Sequence, residues 1–122
     1  MADYPVLNET GFQGIANPSR VFHSDGHVRV SPAFKADVEA IMKELADLLI
    51  SKHEDYGPKN ISDSPGGPIN GLLVRMHDKM ARLKNLQYNN VNARHEPIED
   101  SYKDLANYAV IALMVLRDKW DK

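Results

Sequence analysis

Glu96, Asp100 and Asp104 recur at every fourth position, with Glu99 beside them. On a helix that spacing puts the three acids on one face. Glu99 and Asp100 suit the dipole of a first turn, by about 0.3–1 kcal/mol each. Asp104 lies deeper in the helix, and like charges four residues apart cost roughly 0.2–0.5 kcal/mol even on an exposed face. Asp104 therefore requires a cation, and the sequence offers two kinds. One is a basic stripe, Arg75, Lys79 and Arg82, spaced to lie along one edge of an earlier helix. The other is a divalent ion such as Mg2+, held by several carboxylates and water. The stripe itself has two readings. It is either a salt-bridged flank, worth about 0–1 kcal/mol per exposed pair, or a wall whose guanidinium groups grip phosphate oxygens in pairs.

Helices must position these groups. Pro97 suits a first helical turn and makes Glu96 the expected cap of a helix over about 97–119. From Leu105 to Leu116 only Asn107 is plainly polar, and twelve residues are too few for a bilayer, which takes roughly 20. One side of this helix carries Ile98, Tyr102, Leu105, Ala109, Leu113 and Leu116 and is expected to be buried throughout. The acidic side continues as Asn107, Ile111, Met114 and Val115, so the carboxylates are expected at the mouth of an interface with an apolar floor. A middle helix over about 68–86 has Ile69, Leu72, Leu73, Met76, Met80 and Leu83 as its inner face. Ser31-Pro32 is a capping residue and a first-turn proline, opening a helix over about 32–56 with Val38, Ile41, Met42, Leu45, Leu48 and Leu49 on one face. The next positions on that face are Lys52 and Tyr56, with Asp55 at its border. Either Lys52 snorkels out of the core or the stripe runs into a polar pocket.

Gly57-Pro58 ends the first helix. Asn60–Gly67 reads as a plain connecting loop, with closure over a ligand as the alternative. Residues 1–31 are broken by Pro5, Gly11, Gly14, Pro18 and Gly26 and read as an extended arm. Two alternating runs around Asp25-Gly26 predict a small β-hairpin over about 20–30. The expected fold is thus mainly α: a three-helix antiparallel bundle within a single helical domain, 32–122, preceded by the arm.

Composition narrows the class. The chain has 122 residues, with 15 basic against 17 acidic side chains and no cysteine. That balance lacks the basic excess of duplex-binding proteins, so no sequence-specific DNA binding is expected. Disulfides and thiolate metal sites are excluded. No apolar leader follows the start, no membrane association is expected, and the cytoplasm is the default location. The five histidines form no HExxH or paired-ligand spacing, and no motif for nucleophilic catalysis, P-loop or GxGxxG is present.

The segments KHEDYGPKN (Lys52–Asn60), GLLVRMHDKMARLKNL (Gly71–Leu86) and EPIEDSYKDLANYAVIAL (Glu96–Leu113) together resemble the nucleotide-modification-associated all-helical domain common in bacteriophage genomes. The matched pattern falls on Lys52, Asp55, Tyr56, Gly57, Arg75, Lys79, Arg82, Glu96, Asp100 and Asp104. The resemblance implies a helical phage domain linked to nucleotide and DNA-base modification, acting in the infected cell. More distantly the acidic helices look like MazG-type nucleoside triphosphate pyrophosphohydrolases, although the chain lacks their EExxE and runs Glu-x3-Asp-x3-Asp in place of ExxD. Three functions are expected to compete. In the first, Lys52, Asp55, Tyr56, Arg75, Lys79 and Arg82 hold a nucleotide or small phosphorylated ligand, and Glu96, Asp100 and Asp104 hold Mg2+ for hydrolysis of a triphosphate. The second is a binder that sequesters a nucleotide without turnover. The third is a protein-interaction module acting through the arm. The apolar second half of the last helix further predicts a homo-oligomer, in the first instance a dimer.

Overall fold

The structure is a computed structural model, and it describes residues 24–122. Four helices account for most of these residues: α1 (Pro32–Tyr56), α2 (Lys59–Ser62), α3 (Pro68–Tyr88) and α4 (Ile98–Leu116). The described residues fall into two compact units, one comprising 45–122 and the other belonging to 3–44, with the break inside α1.

In the unit within 3–44, Ser31 caps α1 as its type requires: its Oγ accepts from the Phe34 amide at 3.1 Å. The hairpin expected over about 20–30 is not supported. Residues 20–23 lie outside the described residues, and 24–30 form a turn with an isolated bridge at Val28 and no strand. The Asp25 carboxylate accepts from the His27 amide at 2.9 Å, a local side-chain bond that competes with ladder pairing. Val28 and Val30 are exposed, so no apolar face holds a ribbon in place. Val38, Ile41 and Met42, expected to face a core, are also exposed, and no residue of α1 is buried.

The unit 45–122 is built on α3 and α4, which pack against each other. Its core is Ile61, Leu72 and Ile111, joined by partly buried Leu49, Ile69, Met76, Tyr108, Val115 and Trp120. Ile61 is not expected there. Asn60–Gly67 reads as a loop, yet its first part belongs to the one-turn helix α2, which drives Ile61 to 2% exposure. Gly71 lets α3 approach the chain just beyond α2: a Cβ there would collide with the Ser64 side chain.

Helix ends follow local rules. Gly57 (φ +66°) adopts the left-handed conformation that terminates α1, its amide donating to His53 O at 2.8 Å. α4 stops at Leu116, short of the expected end at 119. Asp118 takes φ +54°, and the Lys119 amide returns to Met114 O at 2.7 Å, the six-to-one bond of a Schellman ending. At the other end Pro97 (φ −54°, ψ 146°) is the cap of α4, so Glu96 precedes the helix and does not cap it.

On α4, Asn107 and Ile111 are buried as the apolar floor requires, but the side expected to be buried throughout is not. Ser101, Asn107 and Ile111 are buried, whereas Tyr102, Ala109, Leu113 and Leu116 are exposed. Hydrophobicity alone favours burial of the second set. The first is buried because its polar members find partners: Asn107 Nδ2 donates to Leu45 O at 3.1 Å, and Ser101 Oγ accepts from Arg82 Nη1 at 2.6 Å. On α3, Leu72 and Leu83 are buried as expected, but Leu73 and Met80 are exposed. No helix among the described residues is long and apolar enough to cross a membrane.

Candidate functional site

A cavity of about 410 Å³ opens within the unit 45–122, inside the 300–1,000 Å³ range of small-molecule sites. Four parts of the chain contribute. The end of α1 supplies Lys52, His53 and Tyr56, and α2 supplies Asn60 and Ile61. Arg75 and Lys79 come from α3. Asp104, Asn107 and Tyr108 come from α4, with Glu96 before it and Trp120 after it. The floor is the core itself, since Ile61 and Ile111 belong to both.

Asp104 sits at the centre of the charged wall. Its Oδ1 lies 2.9 Å from Lys52 Nζ and its Oδ2 lies 2.8 Å from Lys79 Nζ. Its side chain is mostly buried, Lys79 is about three-quarters buried and Lys52 is half exposed. Burial pushes the Asp104 carboxyl up, but the hydrogen bonds from Lys79 and Lys52 prevail and hold it below its ordinary value. Lys79 is raised, first by its hydrogen bond to Asp104, with Glu96 adding to the field and burial opposing. The cation that Asp104 requires is thus present as two ammonium groups, one of them from the basic stripe.

Arg75 is bonded differently. Its Nη1 donates to Ser64 Oγ at 3.2 Å and its Nη2 to Asn60 O at 2.9 Å. Both acceptors are neutral, so these bonds hold α3 to the α2 segment without cancelling the guanidinium charge at the cavity. Across the site Trp120 donates its indole N–H to Pro58 O at 3.1 Å and packs edge-on against His53, ring centres 4.7 Å apart. Lys59 Nζ and Ser62 Oγ both bind Asp121, at 2.9 and 3.2 Å, so the chain beyond α4 fastens α2 in place.

Of the nine residues singled out by sequence, Lys52, Tyr56, Arg75, Lys79, Glu96 and Asp104 line this cavity, and Asp55, Arg82 and Asp100 do not. Arg82 instead bonds Ser101 Oγ and the Glu96 carbonyl, pinning the start of α4 to α3. Among the described residues no three His, Cys, Asp or Glu side chains converge as a metal site. Glu96 lies outside the helix, so the four-residue spacing does not carry it onto the face of Asp100 and Asp104. Sequence patterns do not single out His53, Asn60, Tyr108 and Trp120. The lone tryptophan, in the charged tail RDKWDK, is the available signal, because a large aromatic side chain there implies a partner. A second, more open hollow is lined by Arg82, Asn85, Arg94, His95 and Glu96, among others.

The family model described as nucleotide modification associated domain 1 matches residues 52–116, just over half of the chain. No curated protein matches the sequence, and no solved structure does.

Proposed function

The chain belongs to the nucleotide modification associated domain 1 family, and on that footing we propose that its cavity binds a phosphorylated nucleotide. The observation that carries this reading is Arg75, a guanidinium on the cavity wall whose hydrogen bonds among the described residues go to neutral oxygens. These bonds use two of the five guanidinium N–H donors, and a guanidinium that keeps its charge and further donors is suited to phosphate. Lys52 and Lys79 extend the basic wall. Tyr56, Tyr108 and Trp120 supply aromatic surface in the same cavity, and base stacking on such side chains is worth about 1–3 kcal/mol. The helical body is read as the three-helix antiparallel bundle expected from sequence. Within 45–122, the contacts of Asp104 with Lys52 and of Asn107 with Leu45 support that reading.

Heat denaturation of the purified protein, followed by mass spectrometry of the supernatant, tests the proposal together with a thermal-shift panel of nucleotides. A released nucleotide or a stabilising shift is expected. Neither result with any nucleotide would contradict the reading.

Mg2+-dependent hydrolysis of a nucleoside triphosphate is the second reading, carried by the family's link to nucleotide modification. The described residues as folded do not fit a resident magnesium site, because both Asp104 oxygens bind lysines and no third acid or histidine completes a ligand set. Release of phosphate or pyrophosphate from a triphosphate with Mg2+ would establish turnover, and its absence would leave a sequestering binder. The interaction-module alternative places function in the arm, whose residues 1–23 lie outside those described. A homodimer is proposed as well, supported by the exposed apolar stripe on α4.

A further inference from the structure

We infer that the cavity is matched to a nucleoside monophosphate bound without a metal ion, in preference to a triphosphate. This rests on the reading of the cavity as a nucleotide site and specifies how many phosphates that site accepts. Three permanent cations line it, Lys52, Arg75 and Lys79, against two carboxylates, Glu96 and Asp104. Both Asp104 oxygens are engaged by the two lysines, and Glu96 acts on Lys79 from the same wall. These four charges balance among themselves. The surplus is the single positive charge of Arg75.

Lys52 leaves that net surplus unchanged, but it can bring its own charge to the ligand. Its side chain is half exposed, whereas that of Lys79 is about three-quarters buried. Lys79 alone can keep Asp104 paired while the Lys52 ammonium turns to an incoming anion. Arg75 and Lys52 together then offer two positive charges, which suits one phosphomonoester at about −1.5 to −2 near neutral pH. A triphosphate brings about twice that charge and sets the excess against Glu96 and Asp104 unless a divalent ion travels with it. The described residues gather no three side chains to hold such an ion.

Isothermal titration calorimetry of the full chain with each 2′-deoxynucleoside 5′-monophosphate and 5′-triphosphate, in EDTA and then in Mg2+, tests the inference. At least one monophosphate is expected to bind in EDTA, at least tenfold tighter than its triphosphate, with an affinity that Mg2+ changes less than twofold. Lys52→Gln, at a half-exposed position, is expected to weaken that monophosphate tenfold while leaving the thermal transition in place. Equal or tighter triphosphate binding in EDTA, a strict Mg2+ requirement, or a Lys52→Gln variant within twofold of the parent would overturn it. No binding of any nucleotide under either condition is a separate result, and it removes the parent reading along with this one.

Discussion

Asp104 carries opposite electrostatic effects that are separable by pH. Its carboxyl lies below the ordinary value of 3.8 despite burial, because Lys79 and Lys52 bond its charged form. A lowered carboxyl contributes stability that is present above 3.8 and lost as pH falls through the lower folded value. Lys79 is raised above 10.5, chiefly by Asp104; its contribution is complete below 10.5 and lost as pH climbs through the higher folded value. Asp104→Asn should therefore flatten both limbs of a stability–pH profile measured by urea unfolding, and should cost about 1–3 kcal/mol at pH 7 by leaving a partly buried ammonium poorly paired. Lys52→Met should cost about 0–1 kcal/mol, as exposed pairs do; a loss as large as that of Lys79→Met would contradict this ordering. Arg82→Ala should destabilise by about 1–3 kcal/mol, since it strips partners from the buried Ser101 hydroxyl and the Glu96 carbonyl, and calorimetry should find nucleotide affinity unchanged. Arg75, Lys79 and Arg82 form one stripe by spacing, and spacing can say no more. Periodicity assigns a face, whereas the partner depends on what the fold brings opposite: the α2 segment for Arg75, a carboxylate for Lys79, and the start of α4 for Arg82.

At the level of elements, α1 and α3 are legible in the sequence because caps, prolines and long apolar periods all indicate the same boundaries. α2 is not, because four residues are too few to show a period and Asn60–Gly67 is dominated by turn formers. Its one distinctive sign is Ile61, the lone aliphatic residue in the polar run from Pro58 to Gly67. Since that residue is 2% exposed, Ile61→Ala should cost about 2–5 kcal/mol in chemical denaturation; a loss below about 0.5 kcal/mol, the scale of a surface change, would show that α2 is not part of the core. The exposure of Tyr102, Leu113 and Leu116 on α4 has a related cause. A wheel ranks faces by apolar content, but Asn107 and Ser101 are buried because the Leu45 carbonyl and Arg82 satisfy them, and neither partner is visible from within the helix. The candidate site is legible where a charged residue breaks an apolar stripe, as at Lys52 and Asp104. It is not legible where aromatic residues from the end of α1 and the tail beyond α4 converge.

For the whole molecule, the exposed apolar residues bear on assembly. Tyr102, Leu113 and Leu116 on α4 are exposed, Leu116 at 72%, and with Ala109 they lie along one side of the helix. Apolar surface of that kind marks interaction sites in soluble proteins. Light scattering is expected to give a dimer mass, and Leu113→Asp with Leu116→Asp is expected to give a monomer with unchanged helical circular dichroism; a monomeric parent protein would refute the dimer. Nucleotide binding in the cavity is tested by a crystal structure of the protein with a deoxynucleoside monophosphate. Phosphate density is expected against Arg75 and Lys52, with the base among Tyr56, Tyr108 and Trp120. A nucleotide bound only in the hollow beside Arg82 and His95, or a cavity that stays free of nucleotide at saturating concentration, would contradict it.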